Sequence, residues 1–317
     1  MLNRIIEMIR QHGTFLISSH VRPDGDAIGS ELALYSVLKG MGKTVHVYNR
    51  DETPDNYQFL PGSDFIGHDF GDPENYDVVF VLDCSDPERL GEKGAVIARM
   101  PGIINIDHHV SNQRFCEVAY IDREASSTGE LLYRLFREMG VAITGDAANN
   151  LYAALMTDTG GFRYRNTKSE TLYAAGYLVE KGADPQWLAE NIYENSPPSK
   201  VRLLSKALDT LNFSLDGKVA DIVVSLACLA ATGAKPDQTE GLVDIPRTIR
   251  GVGVSIFYLE LEQDHYKLSM RSQGTINVEQ VARHFGGGGH MNAAACKIRG
   301  DLESIRQQVA NRLRTVL

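Results

Sequence analysis

Short, continuous apolar runs alternate with amphipathic stretches along the first half of the chain. Leu2 to Gln11 is amphipathic and leads into the apolar run Thr14 to Ser19, which predicts a buried strand. A loop with Pro23 and Gly25 follows, then a predicted helix from about Ala27 to Lys39. Lys43 to Tyr48, Asp77 to Leu82 (DVVFVL) and Gly102 to Ile106 (GIINI) predict three more strands. Their continuous β-branched and aromatic character is that of parallel strands covered on both faces. Strand and helix in turn imply βαβ units, and so an α/β fold with a parallel sheet and flanking helices.

Ser127 to Glu130 (STGE) has capping-box spacing and opens a predicted helix to about Met139; Asp146 to Met156 predicts another. Thr167 to Glu170 repeats the spacing ahead of a third helix ending near Gly182. From Pro185 the text stays helical but breaks at Ser196-Pro197-Pro198, a stop and restart. Beyond Gly217, strands are predicted at Val219 to Ser225, Gly253 to Leu261 and Tyr266 to Met270, with helices at Val278 to Phe285 and from Leu302. The expected organisation is a first domain at 1–184, a helical connector at 185–215 and a smaller mixed α/β domain at 216–317.

A length of 317 residues suits two domains, and 43% hydrophobic with 23% charged residues excludes disordered and low-complexity classes. The four cysteines form no CxxC pair, so neither a zinc ribbon nor a disulfide scaffold is implied. No run approaches the ~20 apolar residues of a membrane span and the N-terminus lacks a signal-peptide pattern, so the expectation is a cytoplasmic protein without a membrane partner. The net charge of −9 opposes a long electrostatic footprint on nucleic acid, including long duplexes. Residues 216–317 hold 12 Lys and Arg against 11 Asp and Glu, whereas residues 1–215 hold 20 against 30. An acidic half suits hard divalent cations, and a near-neutral half suits a short anionic substrate.

In the first half three of the four strand-like runs, and one helix, end in residues able to bind metal. The first run gives His20, Asp24 and Asp26, the third Asp83, the fourth Asp107-His108-His109, and the helix through Met156 gives Asp158. One Asp after a strand is most simply a cap or turn residue. The set is harder to explain so, because open α/β sheets gather their sites outside the carboxyl ends of the strands. Oxygen-rich ligation with few imidazoles and no thiolate suits Mn²⁺ or Mg²⁺ better than zinc. The carboxylates exceed the needs of one ion; two ions ~3.5 to 4 Å apart would use them and activate a water for phosphoester or phosphoanhydride hydrolysis. Adjacent side chains on extended backbone diverge, so of His108 and His109 one is expected to bind metal and the other to face substrate.

The segments SSHVRPDGDAIGS, VLDCSD, NIDHHV and ALMTDTGGF resemble the four successive motifs of the DHH phosphoesterase superfamily. MRS followed by FGGGGHMNAAA resembles the DHH-associated C-terminal domain. The likeness spans nearly the whole chain and is greatest to the bifunctional oligoribonuclease and phosphoadenosine phosphate phosphatase (nanoRNase) branch. It implies one ion held by His20, Asp24, Asp83 and Asp158 and a second by Asp26, Asp83, His108 and Asp158. It further implies that His109 polarises the phosphate or assists the leaving group, and that Asp107 supports the histidine pair.

In the second domain, Gly286, Gly287, Gly288, Gly289 and His290 permit close backbone approach and converging N–H donors, and Arg271-Ser272 at a strand end could complete a phosphate grip. The resemblance assigns this surface to the nucleotide. The expected enzyme cleaves short single-stranded oligoribonucleotides to nucleoside 5′-monophosphates and adenosine 3′,5′-bisphosphate to AMP, with an oligomeric state left open. A phosphodiesterase for cyclic or linear dinucleotides is the first alternative, and a non-catalytic nucleotide sensor a second, weakened by the presence of every ligand. The charge disfavours a long-strand exonuclease, and the glycine-rich motif disfavours a pyrophosphatase.

Overall fold

The computed structural model describes residues 1–317. The chain divides into two compact units, Met1–Asn195 and Ser196–Leu317. The first runs α1 (Leu2–Gln11), β1 (Thr14–Ser18), α2 (Gly25–Gly40), β2 (Thr44–Tyr48), β3 (Ile66–Gly67), β4 (Val78–Leu82), α3 (Gly94–Ile97), β5 (Ile103–Asp107), β6 (Val118–Ile121), α4 (Thr128–Met139), α5 (Gly145–Asp158), α6 (Ser169–Glu180) and α7 (Pro185–Tyr193). Its six strands are all parallel, in the order β3-β2-β1-β4-β5-β6. The strand order reverses between β1 and β4, and the crevice beyond their carboxyl ends is where such sheets bind ligands.

Alternate side chains of the central strands enter two cores, as continuous apolar runs require. Phe15, Ile17, Phe80, Leu82, Ile104 and Ile106 pack with the helices. Leu16, Val79 and Val81 pack against Leu90, Ile97 and Met100 on the other face. Within the helical layer, glycines let α2 lie close on α5. A Cβ on Gly29 would come within 2.4 Å of the Asn150 carbonyl oxygen, and one on Gly25 within 2.5 Å of the Thr157 side chain. This seam brings the N-terminus of α2, with Asp24 and Asp26, beside the C-terminus of α5, with Asp158. Gly29→Ala is therefore expected to push the helices apart, costing ~1 to 3 kcal/mol as overpacking does. Urea denaturation reads the loss, and an unchanged midpoint would contradict the seam.

The second unit runs α8 (Pro198–Leu208), β7 (Asn212–Ser214), β8 (Val219–Val224), α9 (Leu226–Thr232), α10 (Asp244–Arg247), β9 (Val254–Glu262), β10 (His265–Ser272), α11 (Val278–His284), β11 (Gly288–His290), β12 (Ala293–Arg299) and α12 (Leu302–Leu313). Its sheet has the order β11-β12-β10-β9-β8-β7. Only β8 and β9 pair in parallel. One face packs Tyr258, Leu268 and Met270 with residues of α11 and α12. The other packs Ile222, Phe257 and Leu259 with Leu203 and Ala207 of α8.

The helical stretch from Pro185 is shared between the units. Trp187 on α7 meets Phe59 edge-on, ring centroids 4.9 Å apart, and α8 belongs to the second core. The box at Thr167 to Glu170 does not form as expected. The helix starts one residue later, capped at Lys168, whose backbone N–H donates to Thr171 Oγ1 at 3.3 Å. At Ser127 the cap does form, its Oγ accepting from Glu130 N at 3.1 Å. The Glu130 carboxylate reaches the backbone and hydroxyl of Ser126 instead of the cap residue. No helix is long and apolar enough to cross a membrane.

Candidate metal centre

His20 follows β1, and its Nδ1 lies 2.9 Å from the Val21 carbonyl oxygen. A carbonyl can only accept, so Nδ1 carries the proton and the Nε2 lone pair is left for a metal. That Nε2 is buried without an aligned hydrogen-bond partner, 3.3 Å from Asp83 Oδ2. Asp83 follows β4 in left-handed backbone, φ 52°. Such a conformation is uncommon outside glycine and tolerated by Asp and Asn, and it aims the carboxylate into the crevice. Thr128 Oγ1 donates to Asp83 Oδ1 at 3.0 Å.

Asp24 caps α2, accepting from the N–H groups of Asp26 and Ala27 at 3.1 Å each. Asp26, in the first turn of α2, also accepts from the backbone of Thr128 and Gly129 at 2.7 and 2.9 Å. It thus sits at the positive ends of two helices. His108 Nε2 is central: Asp26 Oδ2, Asp83 Oδ1 and Asp158 Oδ2 lie 3.7, 3.6 and 3.7 Å away. His109 Nδ1 turns instead to Asp107 Oδ1 at 2.7 Å. Buried Asn112 donates to Asp107 Oδ2 at 2.6 Å, fixing that carboxylate from behind.

Ligand atoms within 4.8 Å of one another form three groups: His20, Asp24 and Asp83; Asp26, His108 and Asp158; and Asp83, His108 and His109. The charges record the crowding. Burial and the neighbouring Asp83, Asp158 and Asp24 hold the Asp26 carboxyl well above the usual range. Burial, together with repulsion from Asp83 and Asp24 and against the pull of His108, pushes Asp158 up to about 7. Asp83 goes the other way: burial opposes its ionisation, but close His20 and the charges of His109 and His108 hold it below the ordinary carboxylate range. Burial would lower His109, yet its bond to Asp107 and the charge of Asp83 raise it to about 9, so the ring is cationic at neutral pH. Mutually repelling carboxylates and an orphaned imidazole nitrogen fit hard divalent cations, which relieve both.

The second-unit candidates are arranged differently from the expected loop. Gly286, φ 75°, ends α11, while Gly288, Gly289 and His290 form β11 along the edge of β12. Gly287 and Gly289 are demanded by packing, since a Cβ would meet Ala295 O at 2.1 Å or Ala293 O at 2.5 Å. The Gly286 and Gly288 positions open on free space. Buried Ser272 is occupied internally, donating to Ile276 O at 2.6 Å and accepting from Asn292 at 2.9 Å. Arg271 and His290 flank Ala293 in one row across the sheet.

The sequence reading passed over Asn112, Thr128 and a polar network behind His20. In that network Asn49 donates to buried Glu31 at 2.7 Å and accepts from Ser19 N and Oγ at 3.3 and 3.2 Å. Burial, against hydrogen bonds from Asn49 and Ser19, raises Glu31 to about 8. Arg163, just past Asp158 in the chain, donates through Nε to the Gly160 carbonyl at 2.6 Å.

Residues 14–157 match the DHH family N-terminal domain, and residues 221–315 match the DHHA1 domain. A bifunctional oligoribonuclease and PAP phosphatase NrnA of Thermus thermophilus is 32% identical, with 96% of this chain and 90% of that protein covered. The protein of the same description from Bacillus subtilis is 28% identical, covering 94% and 93%. The crystal structure of an exopolyphosphatase-related protein from Bacteroides fragilis superposes with a TM-score of 0.94 at 31% identity, over 99% of this chain and 97% of that one. With both domains matched in order and the motif residues gathered at the sheet's switch point, the chain belongs to the DHH family of phosphoesterases.

Proposed function

We propose that the protein is a divalent-metal-dependent phosphoesterase that hydrolyses very short oligoribonucleotides to nucleoside 5′-monophosphates and adenosine 3′,5′-bisphosphate to AMP. The observation that carries this reading is the convergence of His20, Asp24, Asp26, Asp83, His108 and Asp158 beyond β1 and β4. The near-full-length relatives named as oligoribonuclease and PAP phosphatase support the substrate class. In this reading those six residues hold two ions, Mn²⁺ by preference and Mg²⁺ as the alternative. Bound there, the ions supply a nucleophilic water at neutral pH and neutralise charge on the phosphate.

The rest of the work falls to the chain. Asn112 fixes Asp107, and Asp107 fixes the ring of His109 through Nδ1. Nε2 of His109 is then a charged N–H donor for a phosphate or leaving-group oxygen. The near-neutral second domain holds the nucleotide through Arg271 and the backbone about Gly288. Arg271→Ala is expected mainly to raise KM, by ~1.5 to 3 kcal/mol for a bond to a charged group, with kcat and metal content little changed. The reading places the enzyme in the cytoplasm.

The direct test incubates the protein with labelled RNAs of two to twenty nucleotides and with adenosine 3′,5′-bisphosphate, in Mn²⁺, Mg²⁺ or chelator. Metal-dependent release of mononucleotides, falling steeply with length, is expected. Efficient digestion of a long unstructured RNA, or hydrolysis of none of these compounds, would overturn the reading.

A further inference from the structure

Asp158 has the least support of the carboxylates gathered at the metal centre. It ends α5, where the helix dipole is negative and the last carbonyl groups lack partners within the helix. Asp24 accepts from the backbone N–H groups of Asp26 and Ala27, Asp26 from those of Thr128 and Gly129, and Asp83 from the Thr128 hydroxyl. The Asp158 carboxylate receives one hydrogen bond from the chain, given to Oδ2 by Nδ2 of Asn166 at 3.3 Å. The same oxygen faces Nε2 of His108 at 3.7 Å.

Asn166 reaches that oxygen because the chain doubles back beyond α5. Gly160, Gly161 and Phe162 follow one another in left-handed backbone, φ 59°, 70° and 62°. Glycine adopts this conformation freely, whereas Phe162 holds it under strain. Thr159 braces the turn, its Oγ1 donating to Leu155 O at 2.6 Å and accepting from Phe162 N at 3.0 Å. Asn166 Nδ2 also donates to the carbonyl oxygens of Asp158 at 3.1 Å and Ser126 at 3.0 Å. Turning the amide over would set its oxygen against three oxygens, so its orientation is fixed. Oδ1 is meanwhile buried without a partner. An unpaired buried oxygen costs stability, so packing alone would not select asparagine here.

We propose that Asn166 is a positioning residue of the metal centre, which holds the Asp158 carboxylate in its ligating orientation and ties it to the segment that holds Asp26 and Asp83. That segment is short. Ser126 accepts from Asn166, Thr128 and Gly129 donate to Asp26, and the Thr128 hydroxyl donates to Asp83. One amide thus couples carboxylates from α2, from the end of β4 and from α5. The proposal rests on the reading of Asp158 as a metal ligand and adds the residue that keeps this ligand in place. Groups that fix a ligand from behind typically change metal affinity ~10- to 100-fold.

The test is calorimetric titration of Mn²⁺ into the metal-stripped full chain carrying Asn166→Ala, without substrate, beside a thermal melt in chelator. Mn²⁺ affinity should fall ~10-fold or more, and at saturating Mn²⁺ most of kcat should return with KM unchanged. Thr159→Val is the control, because it loosens the same turn without touching the Asp158 carboxylate. It should lower the melting temperature and leave Mn²⁺ affinity within about twofold of the parent. Should the alanine variant fail to fold, Asn166→Ser, too short to reach Oδ2, takes its place with the same expectation. Parental Mn²⁺ affinity in the Asn166 variant, or an equal loss in the Thr159 variant, would reduce Asn166 to a latch of the turn and overturn the proposal alone. A parent that binds no Mn²⁺ would instead overturn the metal-centre reading on which it rests.

Discussion

Asp83→Asn is expected to lose most of its bound metal and to hydrolyse substrate roughly 10³-fold or more slowly, the scale of ~4 kcal/mol of lost charge stabilisation. Asp83 follows β4 at the point where strand order reverses, and its two oxygens face different partners. Oδ2 lies 3.3 Å from His20, and Oδ1 lies 3.6 Å from His108 and 3.5 Å from His109. Losing its charge therefore weakens both halves of the cluster together. Asparagine is the informative replacement because it accepts the left-handed backbone, φ 52°, as readily as aspartate. The loss then reports charge and not backbone strain. A second signature follows from the depressed carboxyl. A group held below its unfolded range contributes stability above that range and loses it as pH falls through the folded value. In chelator at neutral pH the variant should thus melt below the parent, with the gap closing in strong acid. Elemental analysis and thermal melts read both effects. Full metal occupancy with parental turnover would remove Asp83 from the centre.

The first domain was legible in the sequence because its strands are short and buried on both sides. DVVFVL and GIINI admit little besides central parallel strands, and a parallel sheet sends all their carboxyl ends, with Asp83 and His108, to one edge. Elements lacking such a signal were missed. β6 is a four-residue edge strand, VAYI, half open to solvent. β11 is built from glycines, which carry no alternation to read, so an edge strand passed for a loop. The seam between α2 and α5 was written in Gly25 and Gly29, one helical turn apart, but its partner lies more than 100 residues away and no local pattern names it. The network of Ser19, Asn49 and Glu31 was silent for the same reason. A buried glutamate on a helix is spelled like an exposed one, and only burial raises it to about 8.

His108→Ala and His109→Ala are expected to fail in different ways, although the two residues are adjacent and both belong to one cluster with Asp83. His108 points Nε2 at three carboxylates, each 3.6 to 3.7 Å away, where it would join Asp26, Asp83 and Asp158 around one ion. His109 has its Nδ1 committed to Asp107 at 2.7 Å. Asp107 is itself buried and held by Asn112, so ring and carboxylate form a fixed pair that keeps the imidazole charged. Truncating His108 should lower metal occupancy, and activity should recover in part when metal is supplied in excess. Truncating His109 should leave occupancy near normal and depress kcat by ~10²-fold or more, the scale of lost acid or electrostatic assistance, with no rescue by metal. Asp107→Asn should follow His109→Ala in direction, since an amide that donates to Nδ1 would favour the neutral, wrongly oriented ring. Metal content measured beside kcat for the three variants decides the matter: equal metal losses at His108 and His109, or an Asp107 variant that behaves like the His108 one, would contradict the division of roles.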